Sequence, residues 1–307
     1  MSELKGILAK SAFLTLTESI SLTAVAAITL LISARYLTPA EFGTASMALS
    51  VILIASTIVE RLFHDSLIRP AEIDAVDRSS AHYGTLVLAL SLMAMISLIA
   101  GLFETQLGGP EVVSMIRWGS LSLLFNALSA VPIALLRREM RFELLAKRSM
   151  LSRLVASAVV IFLAMLGWGA WSLILQNLVM VGVSTLMLWG SARARQLRPA
   201  EFRLQAVKKL LGVGTVSTSL QFAYMALPRA FLVIYTSRFG MHEGGLLSFA
   251  FRLVDMLRDV LGAAASQLAL PVFARVARDG QPLSHTFKVM TRAACLVGFP
   301  IFALLAL

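Results

Sequence analysis

Lysine and arginine collect in every second gap between the long apolar runs of this 307-residue chain. Membrane insertion retains Lys and Arg on the cytoplasmic side, so a chain that crosses a bilayer many times acquires this alternation. The segment up to Lys10 holds Lys5 and Lys10, and the stretch from Arg61 to His82 holds Arg61, Arg69 and Arg78. Six more lie between Arg137 and Arg153, six between Arg193 and Lys209, and four between Arg275 and Arg292, so these segments carry 21 of the 27 basic residues. The intervening loops hold only Arg35, Arg117 and Arg238. The rule therefore predicts the N-terminus and the 21-residue set inside and the three lone arginines outside. Arg229, Arg252 and Arg258 fall within the apolar runs themselves.

Composition supports the same solvent. Mean hydropathy is +0.82 and charged residues make up 14% of the chain, where soluble domains carry about 25%. The net charge of +10 is accounted for by loops beside anionic headgroups, and no aromatic-basic platform accompanies it, so nucleic acid is not an expected partner. The single cysteine, Cys295, excludes an intramolecular disulfide and any CxxC site, and reads as a small packing residue.

With about 20 residues needed per crossing, the chain is predicted to be all-α and polytopic, with about nine transmembrane helices. They run approximately from Ser11 to Ala34, Ala45 to Phe63, Tyr83 to Phe103, Val113 to Leu136, Leu151 to Leu166, Ala170 to Trp189, Leu211 to Tyr235, Leu246 to Leu270, and Val289 onward. Backbone facing lipid must satisfy its own hydrogen bonds, which demands helices. The first span is polar in its first half, with Thr15, Thr17, Glu18, Ser19, Ser21 and Thr23, and is read as a mature helix facing a cavity or other helices. Gly167-Trp168-Gly169-Ala170-Trp171 leaves room only for a tight hairpin with interfacial tryptophans. No GxGxxG, HExxH or GxSxG spacing occurs, so no enzyme chemistry, cofactor or metal is expected.

A helix-loop-helix unit recurs. Ser33-Ala34-Arg35-Tyr36 followed by Pro39-Ala40-Glu41-Phe42-Gly43-Thr44-Ala45-Ser46 matches Thr236-Ser237-Arg238-Phe239 followed by His242-Glu243-Gly244-Gly245-Leu246-Leu247-Ser248. The arginines are 203 positions apart, with a one-residue adjustment before the acidic residue. Both loops fall on the same side, as a parallel repeat requires. The expected organisation is a first lobe of helices one to six over 1–205 and the start of a second over 206–307. Because the chain stops inside the apolar run Pro300 to Leu307, the second lobe is expected to be incomplete.

Four stretches carry a family resemblance: Ala34-Arg35-Tyr36-Leu37-Thr38-Pro39-Ala40-Glu41-Phe42-Gly43, Leu135-Leu136-Arg137-Arg138-Glu139-Met140-Arg141-Phe142, Gly167-Trp168-Gly169-Ala170-Trp171-Ser172-Leu173-Ile174-Leu175-Gln176, and Leu270-Pro271-Val272-Phe273-Ala274-Arg275-Val276-Ala277-Arg278-Asp279. In order and spacing the chain resembles the Wzx-type polysaccharide repeat-unit flippases, the polysaccharide transporter branch of the MOP superfamily. The resemblance implies export of a lipid-linked oligosaccharide across a bacterial inner membrane for capsule, exopolysaccharide or O-antigen. Expected partners are that substrate, the phospholipid bilayer, and the polysaccharide polymerase and chain-length machinery.

Flipping a diphosphate-linked glycan calls for cationic groups inside the membrane. An intramembrane arginine is costly unless it faces a cavity or a partner, which makes Arg229, Arg252 and Arg258 candidate substrate-binding residues. Arg229 follows Pro228, has no acidic residue in its own helix, and is expected about 10 Å from the outer helix end at 1.5 Å per residue. Glu18, Asp255 and Asp259 are candidates for ion coupling, although Arg252, Asp255, Arg258 and Asp259 have helical spacing that also permits simple intrahelical ion pairing. Glu18 could equally serve helix packing in its protonated form. Glu60 and Arg61, at the inner end of the second helix, are read as snorkelling to the surface. Two other readings compete. A glycan polymerase or ligase would need a large outer loop, which these spans do not leave, and a multidrug antiporter exporting cations sits poorly with intramembrane arginines.

Overall fold

The computed structural model describes residues 21–68, 73–139, 141–190 and 203–258, with isolated positions from 287 onward, and every regular element among them is helical. Residues 28–249 form one compact unit; 1–27 with 250–307 form the other. The elements are α1 (Ser21–Tyr36), α2 (Pro39–Arg61), α3 (His64–Ile68), α4 (Ala75–Leu102), α5 (Pro110–Gly119), α6 (Leu121–Arg138), α7 (Phe142–Met165), α8 (Ala170–Trp189), α9 (Leu204–Phe239) and α10 (241–258). Among the described residues five stretches are long and apolar enough to cross a membrane: Pro39–Ile68, Ala75–Leu102, Pro110–Arg138, Phe142–Met165 and Ala170–Trp189. They coincide with the second to sixth expected spans. The seventh expected span falls within α9 and the eighth begins in α10, while most of the ninth and the polar start of the first lie outside the described residues.

Helix α2 is the central column of the larger unit, packed against α4, α5, α6, α8 and α9. Its sequence alternates small and bulky residues, and Ala45, Met47, Ala48 and Ile52 are all 0% exposed. The small positions let neighbouring helices approach, which is how packing is gained where lipid supplies no hydrophobic drive. The helix begins earlier than its apolar run suggests, because Thr38 and Glu41 form a capping box. Thr38 N–H donates to Glu41 Oε2 at 2.8 Å and Glu41 N–H donates to Thr38 Oγ1 at 3.3 Å, satisfying two helix-end donors reciprocally. Peripheral α4, α7 and α8 instead present apolar side chains outward, such as Leu98, Leu102, Phe162 and Leu186, as helices bordered by lipid do.

The expected hairpin between the fifth and sixth spans is present. Gly167 and Gly169 have φ of 78° and 51°, a region that glycine enters without steric cost, and α7 packs along α8. Trp168 is exposed and Trp171 half-buried. The fourth span is two helices rather than one. The break falls at Gly119–Ser120, where Gly119 lies against the fully buried Ile52 and Ile174. Helices α6 and α8 are joined by a buried hydroxyl pair, Ser129 Oγ and Thr185 Oγ1, at 2.6 Å.

Candidate functional site

Glu60 ends the apolar part of α2 and is the centre of a cationic group. Its side chain is exposed at the surface of the described residues, with protein packed about the base of its carboxylate. Four guanidinium charges act on it, those of Arg61, Arg148, Arg137 and Arg229. They come from four different helices: Arg61 from α2, Arg137 from the end of α6, Arg148 from α7 and Arg229 from α9. Even with Glu60 ionised the group carries a net charge of +3.

Arg137 and Arg148 are each held by a neighbouring side chain. Arg137 Nη1 lies 2.8 Å from His64 Nε2; guanidinium only donates, so Nε2 is the acceptor and the His64 ring carries its proton on Nδ1. Arg148 Nη1 donates to Ser184 Oγ at 2.5 Å. The neighbouring Arg138 donates to the Leu67 and Ile68 carbonyls at 3.3 and 3.4 Å, a cation at the C-terminal end of α3 where the helix dipole favours it. A guanidinium has five N–H donors, so one such anchor leaves others able to meet an anion.

Arg229 is half-buried and lies deeper than the sequence suggests. Helix α9 continues to Phe239, ten residues beyond Arg229, or about 15 Å at 1.5 Å per residue. The helix is continuous through Pro228. The acidic group that acts on Arg229 sits on the neighbouring α2.

The same unit holds an apolar cavity of about 460 Å³, lined from α2, α4 and α9 by residues that include Met47, Ile58, Leu92, Ile99, Ala230 and Val233. Along α2 it extends from Met47 to Ile58, about 16 Å of helix. Its lining residues Ile58 and Ala230 lie two positions and one position along the chain from Glu60 and Arg229. At its other end Gln106 and Ser237 supply the polar rim.

The other candidates are distributed differently. Asp255 and Arg258 form an ion pair of 2.9 Å on α10, with both side chains about half exposed. Arg252 is half-buried on the same helix. Glu18 and Asp259 lie outside the described residues. Among the described residues no three His, Cys, Asp or Glu side chains gather as a metal site. The sequence reading takes Glu60 and Arg61 as snorkelling to the surface and Arg137 and Arg148 only as inner-loop charges. A carboxylate at the basic end of an apolar helix was the available signal.

The sequence matches the family described as polysaccharide biosynthesis protein over residues 32–307. The chain belongs to that family. This membership agrees with the resemblance carried by the four stretches. The chain is also 27% identical over 281 residues to the succinoglycan biosynthesis transport protein ExoT of Rhizobium meliloti (strain 1021). That alignment covers 91% of this chain and 56% of ExoT, so the chain spans little more than half the length of this curated relative. Two solved structures are similar. One is an inward-facing multidrug resistance MATE family transporter of the MOP superfamily, 18% identical, with a TM-score of 0.45 over 88% of this chain and 63% of that one. The other is a MATE protein in the straight conformation, 17% identical, with a TM-score of 0.47 over 97% of this chain and 71% of that one. Family membership and the five membrane-length helices make this a multi-pass membrane protein.

Proposed function

We propose that the protein belongs to an exporter that moves a polyprenyl-diphosphate-linked oligosaccharide across the bacterial inner membrane, for capsule, exopolysaccharide or O-antigen synthesis. The observation that carries this reading is the convergence of Arg61, Arg137, Arg148 and Arg229 on Glu60. A diphosphate is the anionic part of such a substrate, and a net positive cluster together with an apolar cavity in the same helical unit suits a charged head joined to a hydrocarbon chain. A cation-exporting cavity would hardly accumulate arginine. The protein does no covalent chemistry here; it binds, shields and releases by alternating access. Arg229 is the leading substrate contact, Arg252 supplements it, and Arg258 contributes less because Asp255 compensates it. Glu18, Asp255 and Asp259 are proposed for ion coupling. The N-terminus and the Arg137–Arg153 segment face the cytoplasm, so the α2 end bearing Glu60 is the inner end, with the polymerase acting on the opposite side.

The test is glycan export by the full-length protein. Arg229→Ala should reduce export at least tenfold at matched membrane levels, and Arg229→Lys should retain part of it, since Lys supplies charge without the bidentate fork. Normal export by Arg229→Ala would remove this residue from the substrate path.

A further inference from the structure

The repeated unit does more than mark an internal duplication, because its two copies touch each other. Ser46 on α2 and Ser248 on α10 are buried, and the Ser248 hydroxyl donates to the Ser46 hydroxyl at 2.6 Å. Phe42 and Phe249 meet edge to face with ring centroids 6.0 Å apart. At the tightest point the helices meet backbone to backbone. A Cβ on Gly43 would be driven into the Met241 carbonyl and would lie 2.9 Å from the Gly245 nitrogen. A Cβ on Gly245 would be driven into the Pro39 carbonyl and would lie 2.9 Å from the Gly43 nitrogen.

These contacts exchange with one another when the two repeats are exchanged. Pro39 and Met241, Gly43 and Gly245, and Ser46 and Ser248 are each 202 positions apart. A contact in which residue i meets j while the equivalent of j meets the equivalent of i is isologous, the arrangement that a twofold axis generates. Small residues permit such close approach within a membrane. Any side chain at position 43 or 245 meets backbone, which cannot rotate out of the way as a flexible side chain could. Directly behind the contact, Ala45, Met47 and Ala48 are 0% exposed, and Met47 already lines the apolar cavity. Among the described residues a hydroxyl pair, an aromatic pair and the glycine faces meet at this surface, which suits a joint that closes tightly and parts again.

We infer that this pseudo-twofold contact is the closed gate of the transport cavity at the start of α2, and that Gly43 and Gly245 set how tightly it shuts. The inference rests on the exporter reading and adds to it the device that separates the cavity from the outer side.

The experiment uses the full-length protein with Cys295→Ser, carrying Ser46→Cys and Ser248→Cys. With the native hydroxyls 2.6 Å apart, the two sulfurs need only a small shift to reach the S–S bond length of about 2.05 Å. Oxidation should join them, read as two fragments held together after cleavage at a protease site introduced after Gly190. It should also reduce glycan export at least tenfold, with recovery on adding a reductant. Gly43→Ala and Gly245→Ala should each lower the cross-link yield at least fivefold, and by amounts within twofold of each other, as the symmetry requires. Normal export by the oxidised chain would overturn the gate, and unchanged yields in both glycine variants would overturn the role of the glycines. Absence of export from reduced and wild-type chains alike would count against the exporter reading instead, and the yields would then judge the contact alone.

Discussion

If the four arginines around Glu60 act as one anion site, the net charge of the group should control affinity more than any single side chain. The wild-type group carries +3; Arg229→Ala lowers it to +2, Glu60→Gln raises it to +4, and the double variant returns it to +3. A pair of unit charges about 8 Å apart at an effective dielectric of about 20 interacts by about 2 kcal/mol, roughly thirtyfold in a dissociation constant. Arg229→Ala should therefore weaken binding of inorganic pyrophosphate about thirtyfold, and Glu60→Gln should strengthen it by a similar factor. The double variant should bind within about threefold of wild type. That cancellation is what addition of the two charge effects gives, whereas structural damage by Arg229→Ala would persist in the double variant. The assay is thermal stabilisation of the purified full-length protein as pyrophosphate is titrated, since a ligand at free concentration L that binds only the folded state stabilises it by RT ln(1 + L/Kd). Arg238→Ala, at an exposed position ending α9, is the control and should change nothing. A double variant as weak as Arg229→Ala, or a control that weakens binding equally, would refute the shared-site argument.

Other consequences follow from packing and topology. Gly119→Ala places a Cβ 2.5 Å from Ile52 Cδ1 and 3.3 Å from Ile174 Cγ2, so overpacking should cost about 1–3 kcal/mol in denaturation of the purified protein; adding Ile52→Val, which deletes that Cδ1, should recover most of it. Ser129→Ala removes a buried interhelical hydroxyl contact and should cost about 0.6 kcal/mol, and no more than about 1.7, measured in the same way. Alkaline phosphatase fused after Gly240 should be active and fused after Lys147 inactive; the opposite pattern would invert the assigned sides.

Much of the architecture was legible along the chain because a bilayer imposes one-dimensional rules. Helix length follows hydrocarbon thickness and loop charge follows sidedness, so α4, α6, α7 and α8 could be placed from hydropathy alone, and Gly167 and Gly169 revealed the hairpin by leaving no room for anything longer. Boundaries were less legible. The capping of Thr38 by Glu41 starts α2 six residues before the expected Ala45, because a helix end is decided by local hydrogen bonds and not by hydropathy.

The site divides along the same line. Sequence by itself determined that Arg229 lies within an apolar run with no acid on its own helix, since composition and period are properties of one segment. Only the tertiary structure decided that Arg61, Arg137 and Arg148 belong with it around Glu60, because charges from four helices meet through packing that no local pattern records. The repeat shows the same contrast. Its two copies could be read in the letters around Gly43 and Gly245, but their meeting face to face depends on how α2 and α10 pack, and backbone approach between distant segments is a three-dimensional fact.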